Sequence, residues 1–258
     1  MVKYMKKIIL GTIISAASIG STFAACTYNF DATASQIAQI DSSVQRFPNV
    51  SNQKVGFNIV AEMESKGYAA FSSSYAANKI SGNTAGDIST PSSGIFAYEY
   101  KFKVPTSLLS SNEALAFFPI LAASTYNSSQ GDSLAIVYTN NVSTNPNKNE
   151  FKIYKNFSGS GYALPVATTS SGYQNIGFYV NQDTNQVGVI FNGVNYGYAI
   201  PFQSGFNKFF FANAGAQYQF ANNSSSLGQE VSVELITDHT KLQNTYPTGT
   251  TDICGNTI

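Results

Sequence analysis

Tryptophan is absent from the 258-residue sequence, and histidine occurs once, as His239 in the stretch "ITDHTKL". A zinc site built from several histidines is therefore excluded, and two cysteines at opposite ends of the chain do not form a cysteine-rich one. A Ser-His-Asp triad would need His239, but Asp238 cannot face it along a strand and no G-x-S-x-G motif occurs. We expect His239 to be an exposed residue at a strand end, and we predict no catalytic residue and no metal site.

Charged residues are also scarce, at 11% of the chain, with 14 basic and 14 acidic side chains. No cluster of Lys or Arg could neutralise a run of phosphates, so nucleic acid is not an expected partner. Long apolar runs are missing as well, because no stretch approaches the roughly 20 apolar residues of a membrane-spanning helix. The sequence therefore predicts no transmembrane segment.

The first 24 residues have the pattern of a secretory signal peptide. It begins with the basic residues Lys3, Lys6 and Lys7 and continues with an apolar run at residues 8–20. A small-x-small cleavage signal follows at Thr22 to Ala24. Its removal would leave 11 basic residues against 14 acidic ones, a formal charge of −3. We predict a bacterial protein exported to the periplasm or beyond, with residues 25–258 forming a single domain.

The two cysteines, Cys26 and Cys254, lie at the two ends of this predicted domain. Because exported proteins mature where disulfides form, and because the cysteine count is even, we predict that the two residues are bonded to each other. The alternative is lipidation of Cys26, since Ala24-Ala25-Cys26 resembles the end of a lipoprotein signal. That alternative would leave Cys254 without a partner.

Abundant Ser, Thr, Asn, Gly, Tyr and Phe predict many short strands joined by turns. Only residues 37–47 show helical spacing, at Ile37, Ile40, Val44 and Phe47 after caps at Asp31 and Thr33. The predicted strands are 55–63, 68–74, 96–104, 115–123, 134–139, 151–154, 176–180, 187–191, 194–200, 208–213 and 231–237. This pattern indicates an all-β protein, an antiparallel sandwich with a short N-terminal helix.

The stretch "IGFYVNQDTNQVGVIFNGVNYGYAI" predicts a three-stranded meander in some detail. An Asn192-Gly193 turn places Val189 opposite Tyr196, and the preceding polar loop places Phe178 opposite Val189. Both turns put the same alternating apolar residues on one face, so this face is predicted to be core.

The opposite face of the meander carries the glycines Gly177, Gly188 and Gly197 with Tyr179 among them. Glycine inside strands often marks a close approach by a ligand or by another backbone. We therefore name Tyr179, Asn195, Gly188 and Gly197 as candidate ligand-binding residues, with the ring facing a sugar and Asn195 bonding its hydroxyls. The structural alternative is that Tyr179 simply covers the glycines.

The meander resembles paired strands of the concanavalin A-like jelly rolls, which include lectin, laminin-G-like and SPRY domains. "GIFAYEYKFKVP" and "GQEVSVELITD" resemble an early and a final strand of these domains. The whole chain is also similar to a family of uncharacterised secreted bacterial proteins. The resemblance implies a jelly-roll fold. Lectins with this fold often bind calcium through Asp and Asn side chains of loops, and Asp183 and Asp132 are the residues of this chain that are available for such a site.

Carboxylates offer a weaker indication of catalysis. Glu62 and Glu64 would project from one face of a strand, as paired acids of glycosidases do, but the Glu-x-Asp-x-x-Glu pattern of jelly-roll glycosidases is absent. Glu99, Lys101 and Lys103 alternate with aromatic residues and are predicted to be solvated. We expect these groups to be exposed charges rather than catalytic ones.

Three functions remain after these exclusions. The first is a non-catalytic, lectin-like module that recognises a glycan or a surface polymer, with no cofactor required and calcium as the one candidate ion. The second is a protein-binding or structural component of the cell surface, and the third is a carbohydrate-active enzyme. The sequence does not fix the oligomeric state or the ligand.

Overall fold

The computed structural model describes residues 26–83, 85–110, 112–127, 130–156 and 158–258, with the backbone alone at 121–127, 130–131 and 158–161. These residues form two sheets that face each other. Sheet A has the order β1-β4-β14-β7-β8-β9-β10, with β5 added beside β14, and sheet B the order β13-β12-β11-β6-β15-β3-β2, with β16 added beside β6. The predicted antiparallel β-sandwich is confirmed, and only the short β1–β4 and β16–β6 pairs are parallel.

Each sheet consists of eight strands. Sheet A comprises β1 Gln45–Arg46, β4 Glu62–Phe71, β5 Ile88–Ser89, β7 Ala114–Asn127, β8 Gln130–Asn140, β9 Asn149–Lys155, β10 Ser158–Pro165 and β14 Lys208–Phe220. Sheet B comprises β2 Asn49–Ser51, β3 Lys54–Asn58, β6 Ile95–Lys103, β11 Gln174–Asn181, β12 Gln186–Phe191, β13 Val194–Pro201, β15 Glu230–Ile236 and β16 Thr251–Asp252. Strand β10, whose segment is rich in Ser and Gly, was not predicted.

One core of aromatic and branched side chains lies between the two sheets. Tyr98 of β6 stacks on Phe178 of β11 with ring centroids 5.4 Å apart, and it meets Phe211 of β14 across the sandwich at the same distance. The alternation of the sequence produces this arrangement, because successive side chains of a strand point to opposite faces. Burying such rings supplies most of the apolar area that stabilises the fold.

Two helices lie against the outer face of sheet A. Helix α1, Ala34–Ile40, begins at the predicted cap Thr33, whose side chain and that of Gln36 form a reciprocal capping box. The helix ends before Val44 and Phe47, and Phe47 instead enters the core between the sheets. The strand predicted at 68–74 ends at Phe71. Ser72 accepts a hydrogen bond from the Tyr75 amide and so caps helix α2, Ser73–Ile80, which the sequence did not predict.

The predicted meander is correct in its first hairpin and around the Asn-Gly turn, and wrong further along β13. Phe178 pairs with Val189 as expected, and the Asn-Gly turn follows β12. Beyond the turn, however, Val189 has no partner on β13, so the predicted pair of Val189 and Tyr196 does not form. Gly188 rather than Val187 pairs with Tyr198, because β13 contains two bulges. Gly197 has a left-handed φ of 73°, and this glycine accommodates the first bulge.

The ends of the domain meet at the predicted disulfide between Cys26 and Cys254, whose Cα atoms are 5.8 Å apart. Thr237 Oγ1 also donates a hydrogen bond of 2.7 Å to the carbonyl of Cys26. The predicted signal peptide lies outside the described residues, so export stays a prediction. Within the described part of the chain, no helix is long and apolar enough to cross a membrane.

Candidate functional site

The glycine face of the meander is covered in this structure. The ring of Tyr179 lies directly over Gly188, so that a Cβ atom at Gly188 would overlap the ring. Tyr179 is only 3% exposed, and its hydroxyl donates a hydrogen bond of 3.0 Å to Asn195 Oδ1. Asn195 Oδ1 also accepts from the amide of Gly197 at 2.8 Å and so supports the bulge. The four candidate residues therefore lie together, and ligand binding by them stays a prediction.

A segment near the C-terminus, residues 238–246, lies across this face, and we call it the strap. Its Leu242 and Tyr246 pack against the cluster formed by Ala97, Tyr179 and Ile190. Gly177 permits this approach, because a Cβ atom there would lie 2.6 Å from Tyr246 Oη. The close approach at Gly177 is thus made by the protein's own chain.

Glu99 anchors the strap and is fully buried, so the prediction that it is a solvated charge is wrong. Its Oε1 accepts hydrogen bonds of 2.8 Å from the amides of Gln243 and Asn244 and from the Tyr246 hydroxyl. Asn175 Nδ2 donates to the second oxygen, Oε2, at 2.9 Å. Among the described residues no cation pairs with Glu99, so neutral donors alone satisfy its charge.

The surroundings of Glu99 also affect Tyr246. Burial raises the pKa of the Tyr246 hydroxyl, and the negative charge of Glu99 raises it further. Lys101, by contrast, is directed over the ring of Tyr173, with Nζ 4.3 Å from the ring centroid. Lys103 pairs with Glu230 at 2.9 Å. Only the two lysines of the predicted charged row therefore reach solvent, while Glu99 is used inside the protein.

His239 is part of the structure that supports the strap. It begins a short 3-10 helix, His239–Lys241, and its Nδ1 lies 3.2 Å from Oδ2 of the buried Asp252. Asp252 Oδ1 accepts from the amides of Cys254 and Asn256, both at 2.9 Å. Asp238 caps the short helix through the amide of Thr240. These contacts hold the chain end in place.

The other candidate carboxylates close turns or lie at a rim. Asp183 accepts from the amide of Gly94 at 3.1 Å, and Asp132 accepts from Asn156 Nδ2 at 2.8 Å. Glu62 accepts from the amide of Glu64 at 3.3 Å at the start of β4, and Glu64 is exposed. Calcium binding at Asp183 or Asp132 stays a prediction.

A groove on the outer face of sheet A was not predicted. It has a volume of about 820 Å³. Its floor comes from outward-facing residues of five strands, and a loop forms one wall. The lining residues are Met63, Glu64, Ser65, Asn112, Ala114, Ala116, Phe118, Val137, Thr139, residues 141–146, Lys152, Tyr154, Tyr218 and Gln219.

The alternation of β7 explains how the floor forms. Leu115 and Phe117 point into the core, which leaves Ala114, Ala116 and Phe118 on the groove side. Small residues at the first two of these positions keep the floor low. At the rim, Gln219 has a left-handed φ of 57° and lies opposite a bulge in β4, where Met63 and Glu64 together face this one residue of β14. Bulges and left-handed residues other than glycine concentrate near functional sites.

Polar side chains organise the wall of the groove. Asn145 Nδ2 donates to Thr139 Oγ1 at 3.1 Å and to Glu150 Oε1 at 2.9 Å, and Lys152 Nζ lies 3.0 Å from Glu150 Oε1. Burial opposes ionisation of Glu150, but the hydrogen bonds from Asn145 and Lys152 outweigh it and lower the pKa of this carboxyl. The Asn-rich loop after β8 was the only sequence signal that could have indicated this wall.

The two helices cover another part of the outer face of sheet A. Ile37 and Ala76 pack against Ala69 there. Tyr75 of α2 stacks on Phe210 with ring centroids 3.8 Å apart. The groove therefore lies on a part of this face that the helices do not cover.

A protein family described as "Domain of unknown function (DUF4882)" matches residues 6–256. The chain belongs to this family. No curated protein sequence matches the chain.

Solved structures with the concanavalin A-like fold are similar to this protein. One is the potassium-bound carbohydrate recognition domain of Emp46p, with 10% identity over 73% of this chain and 84% of that chain and a TM-score of 0.44. Lectin II from Ulex europaeus has 12% identity over 73% and 88%, with a TM-score of 0.42. A native glycosidic hydrolase has 14% identity over 82% and 84%, with a TM-score of 0.39. Similarity at this level concerns the fold alone.

Proposed function

We propose that this protein is a non-catalytic binding module that takes a neutral glycan into the groove on sheet A. The observation that carries the proposal is the lining of the groove, which combines aromatic rings with neutral amide and hydroxyl groups. Its volume of about 820 Å³ lies within the range of ligand pockets.

The aromatic residues of the groove suit the apolar faces of sugar rings. Tyr154 and Tyr218 are partly exposed, and Phe118 lies on the floor. Each ring offers apolar area, and each tyrosine adds a hydroxyl that can bond a ligand. The neutral side chains of Asn112, Thr139 and the loop supply further donors and acceptors.

The charged residues of the groove favour binding over hydrolysis. Glycosidases need a carboxylic acid whose pKa is raised, so that it can donate a proton to the leaving group. The pKa of Glu150 is lowered, and its carboxylate is already engaged by Lys152 and Asn145. Glu64, the carboxylate that does line the groove, is exposed at the rim.

The proposed location is outside the cytoplasm. The disulfide between Cys26 and Cys254 supports this location, since such bonds persist in oxidising compartments. The predicted signal peptide supports it as well.

A glycan array tests the proposal. We expect the purified protein to bind neutral glycans, and we expect Val137→Tyr to abolish binding because the larger ring would fill the groove above its floor. Tyr173→Ala, outside the groove, is the matched control and should bind normally. Equal binding by Val137→Tyr and the wild type, with both folded, would place the site elsewhere. An array with no bound glycan would refute the proposed function.

A further inference from the structure

One side chain of the groove wall, Asn145, has a fixed hydrogen-bonding role. Its Nδ2 donates both hydrogens, to Thr139 Oγ1 at 3.1 Å and to Glu150 Oε1 at 2.9 Å. The orientation of the amide follows from chemistry, because an ionised carboxylate only accepts hydrogen bonds and the atom beside Glu150 must be the nitrogen. No side chain or backbone amide that the structure describes donates to Asn145 Oδ1. The wall therefore offers this oxygen to a ligand as an acceptor.

The loop that carries Asn145 is held in one shape. The backbone amide of Asn145 donates to the carbonyl of Val142, and the amide of Asn141 donates to the carbonyl of Lys148, both at 2.9 Å. Asn141 Nδ2 also donates to the carbonyl of Ser110 at 2.7 Å, which ties the loop to a neighbouring segment. A wall that is already ordered loses little conformational entropy when a ligand binds, so the acceptor is prepared for contact.

A donor lies close to this acceptor. Lys152 Nζ is 3.0 Å from Glu150 Oε1, the same oxygen that Asn145 contacts. Lys152 lines the groove with a side chain that is 25% exposed, and its bond to Glu150 uses one of the three N–H donors of an ammonium group. The pair of Lys152 and Glu150 carries no net charge, so it favours a neutral polar group over an anion.

An apolar surface lies beside the donor. Val137 pairs directly with Lys152 across β8 and β9, so the two side chains stand about 5 Å apart on the groove side. Phe118 of the adjacent strand β7 adds to this surface, and both apolar residues are partly exposed. Tyr154 follows Lys152 on the same face, about 7 Å further along β9. The groove thus gathers an acceptor, a donor, an apolar surface and an aromatic ring.

We propose that the groove recognises sugars that carry an acetamido group. This inference rests on the proposed function and names the class of glycan. The acetamido N–H would donate to Asn145 Oδ1, its carbonyl would accept from Lys152 Nζ, and its methyl group would pack on Val137. A sugar hydroxyl in the same place has no methyl group and a single polar atom, so it would leave one of the two protein groups unpaired, which costs affinity. The acetamido group is also neutral, as the charge balance of the wall requires.

Paired oligosaccharides test this inference. Triacetylchitotriose and cellotriose share one backbone of linked glucose units and differ only at the second carbon, which carries an acetamido group in the first and a hydroxyl in the second. A glycan array extends the comparison to matched N-acetylgalactosamine and galactose compounds, and calorimetry gives each Kd. We expect the acetamido member of at least one pair to bind the wild type about tenfold more tightly than its hydroxyl counterpart.

Variants of the groove assign the preference to individual atoms. Lys152→Met keeps the length of the side chain but removes the donor, and Asn145→Leu removes the acceptor. Each should lower the preference for the acetamido compound by about tenfold and leave the affinity for the hydroxyl compound nearly unchanged. Lys148→Met, in the same loop but outside the lining, is the matched control and should keep the full preference. Because Asn145→Leu also loses two bonds within the wall, Lys152→Met is the decisive variant, and melting curves confirm that each variant is folded.

The outcomes separate this inference from the proposed function. Equal affinities within every pair, or a full preference in Lys152→Met, would overturn the acetamido inference and leave glycan binding in the groove standing. A wild type that binds no glycan would refute both. Binding of an acetylated peptide in preference to every acetamido sugar would also overturn the inference, since a peptide amide offers the same donor and acceptor without a sugar ring.

Discussion

The hydroxyl of Tyr246 donates a hydrogen bond of 2.8 Å to the buried carboxylate of Glu99, across 147 residues of sequence. The bond joins the strap to the central strand of sheet B, on the face opposite the core. Together with the disulfide at Cys254, it fixes the last part of the chain against the sandwich. The same contact places protein where the glycine face would otherwise be open to a ligand.

Replacing Glu99 with Gln should destabilise the protein. The new amide would turn a donor toward a site occupied by donors, and charge-assisted bonds would be lost. We expect the free energy of unfolding to fall by about 2–4 kcal/mol in Glu99→Gln. In Tyr246→Phe, which loses one of these hydrogen bonds, it should fall by about 1–2 kcal/mol. Urea denaturation measures both, with the exposed Glu64→Gln as control. A Glu99→Gln variant as stable as the control would show that the anchor is unimportant.

Tyr179→Ala separates structure from binding at the glycine face. The change would leave a cavity above Gly188 and remove the bond to Asn195, so the free energy of unfolding should fall by about 2–4 kcal/mol. Because the ring is covered, glycan binding at a temperature where the variant is folded should not change. Binding that disappears from a fully stable variant would instead make this face the ligand site.

Reduction of the disulfide should lower stability without unfolding the core at room temperature. In the chain-entropy model, closing a loop of 228 residues contributes up to about 5 kcal/mol, less any strain. We expect Cys26→Ser/Cys254→Ser to lose about 2–5 kcal/mol of unfolding free energy. The variant should also be insensitive to dithiothreitol, while the wild type is sensitive. If wild-type stability did not respond to dithiothreitol, the bond would not form in the mature protein.

Glu230 should contribute to the acid sensitivity of the fold. Hydrogen bonds from Lys54 and Lys103 lower its pKa from the ordinary 4.5 to about 2. A carboxyl whose pKa is depressed by folding stabilises the protein above the unfolded pKa, and this contribution is lost as pH falls from about 4.5 toward 2. Because the site is partly exposed, we expect this contribution to the free energy of unfolding to be about 1 kcal/mol. Glu230→Gln should flatten that part of the stability profile, and an unchanged profile would rule the contribution out.

Local pattern predicted those parts of the fold in which neighbouring residues decide the structure. Thr33 caps α1 as the sequence indicated, and the alternation around Phe178 placed the right face of the meander in the core. The register failed from Tyr196 onward because turn chemistry fixes only the pairs near the turn. Gly197, which the sequence predicted to be part of the glycine face, instead accommodates a bulge.

Distant contacts account for what the sequence could not show. Alternation correctly placed Glu99 away from the core, but no local pattern reveals that the strap covers it. The groove has the same origin, since Met63, Val137 and Tyr218 belong to strands that are far apart in sequence and adjacent in sheet A. Alanines that look like weak strand residues in the sequence become a groove floor only after the sheet has formed.

The most direct test of glycan binding is a crystal structure of the mature protein soaked with the best neutral oligosaccharide from the array. We expect sugar rings in the groove on sheet A, against Tyr154 or Tyr218 and within hydrogen-bonding distance of the loop at residues 141–146. An oligosaccharide bound beneath a displaced strap, with the groove empty, would contradict it.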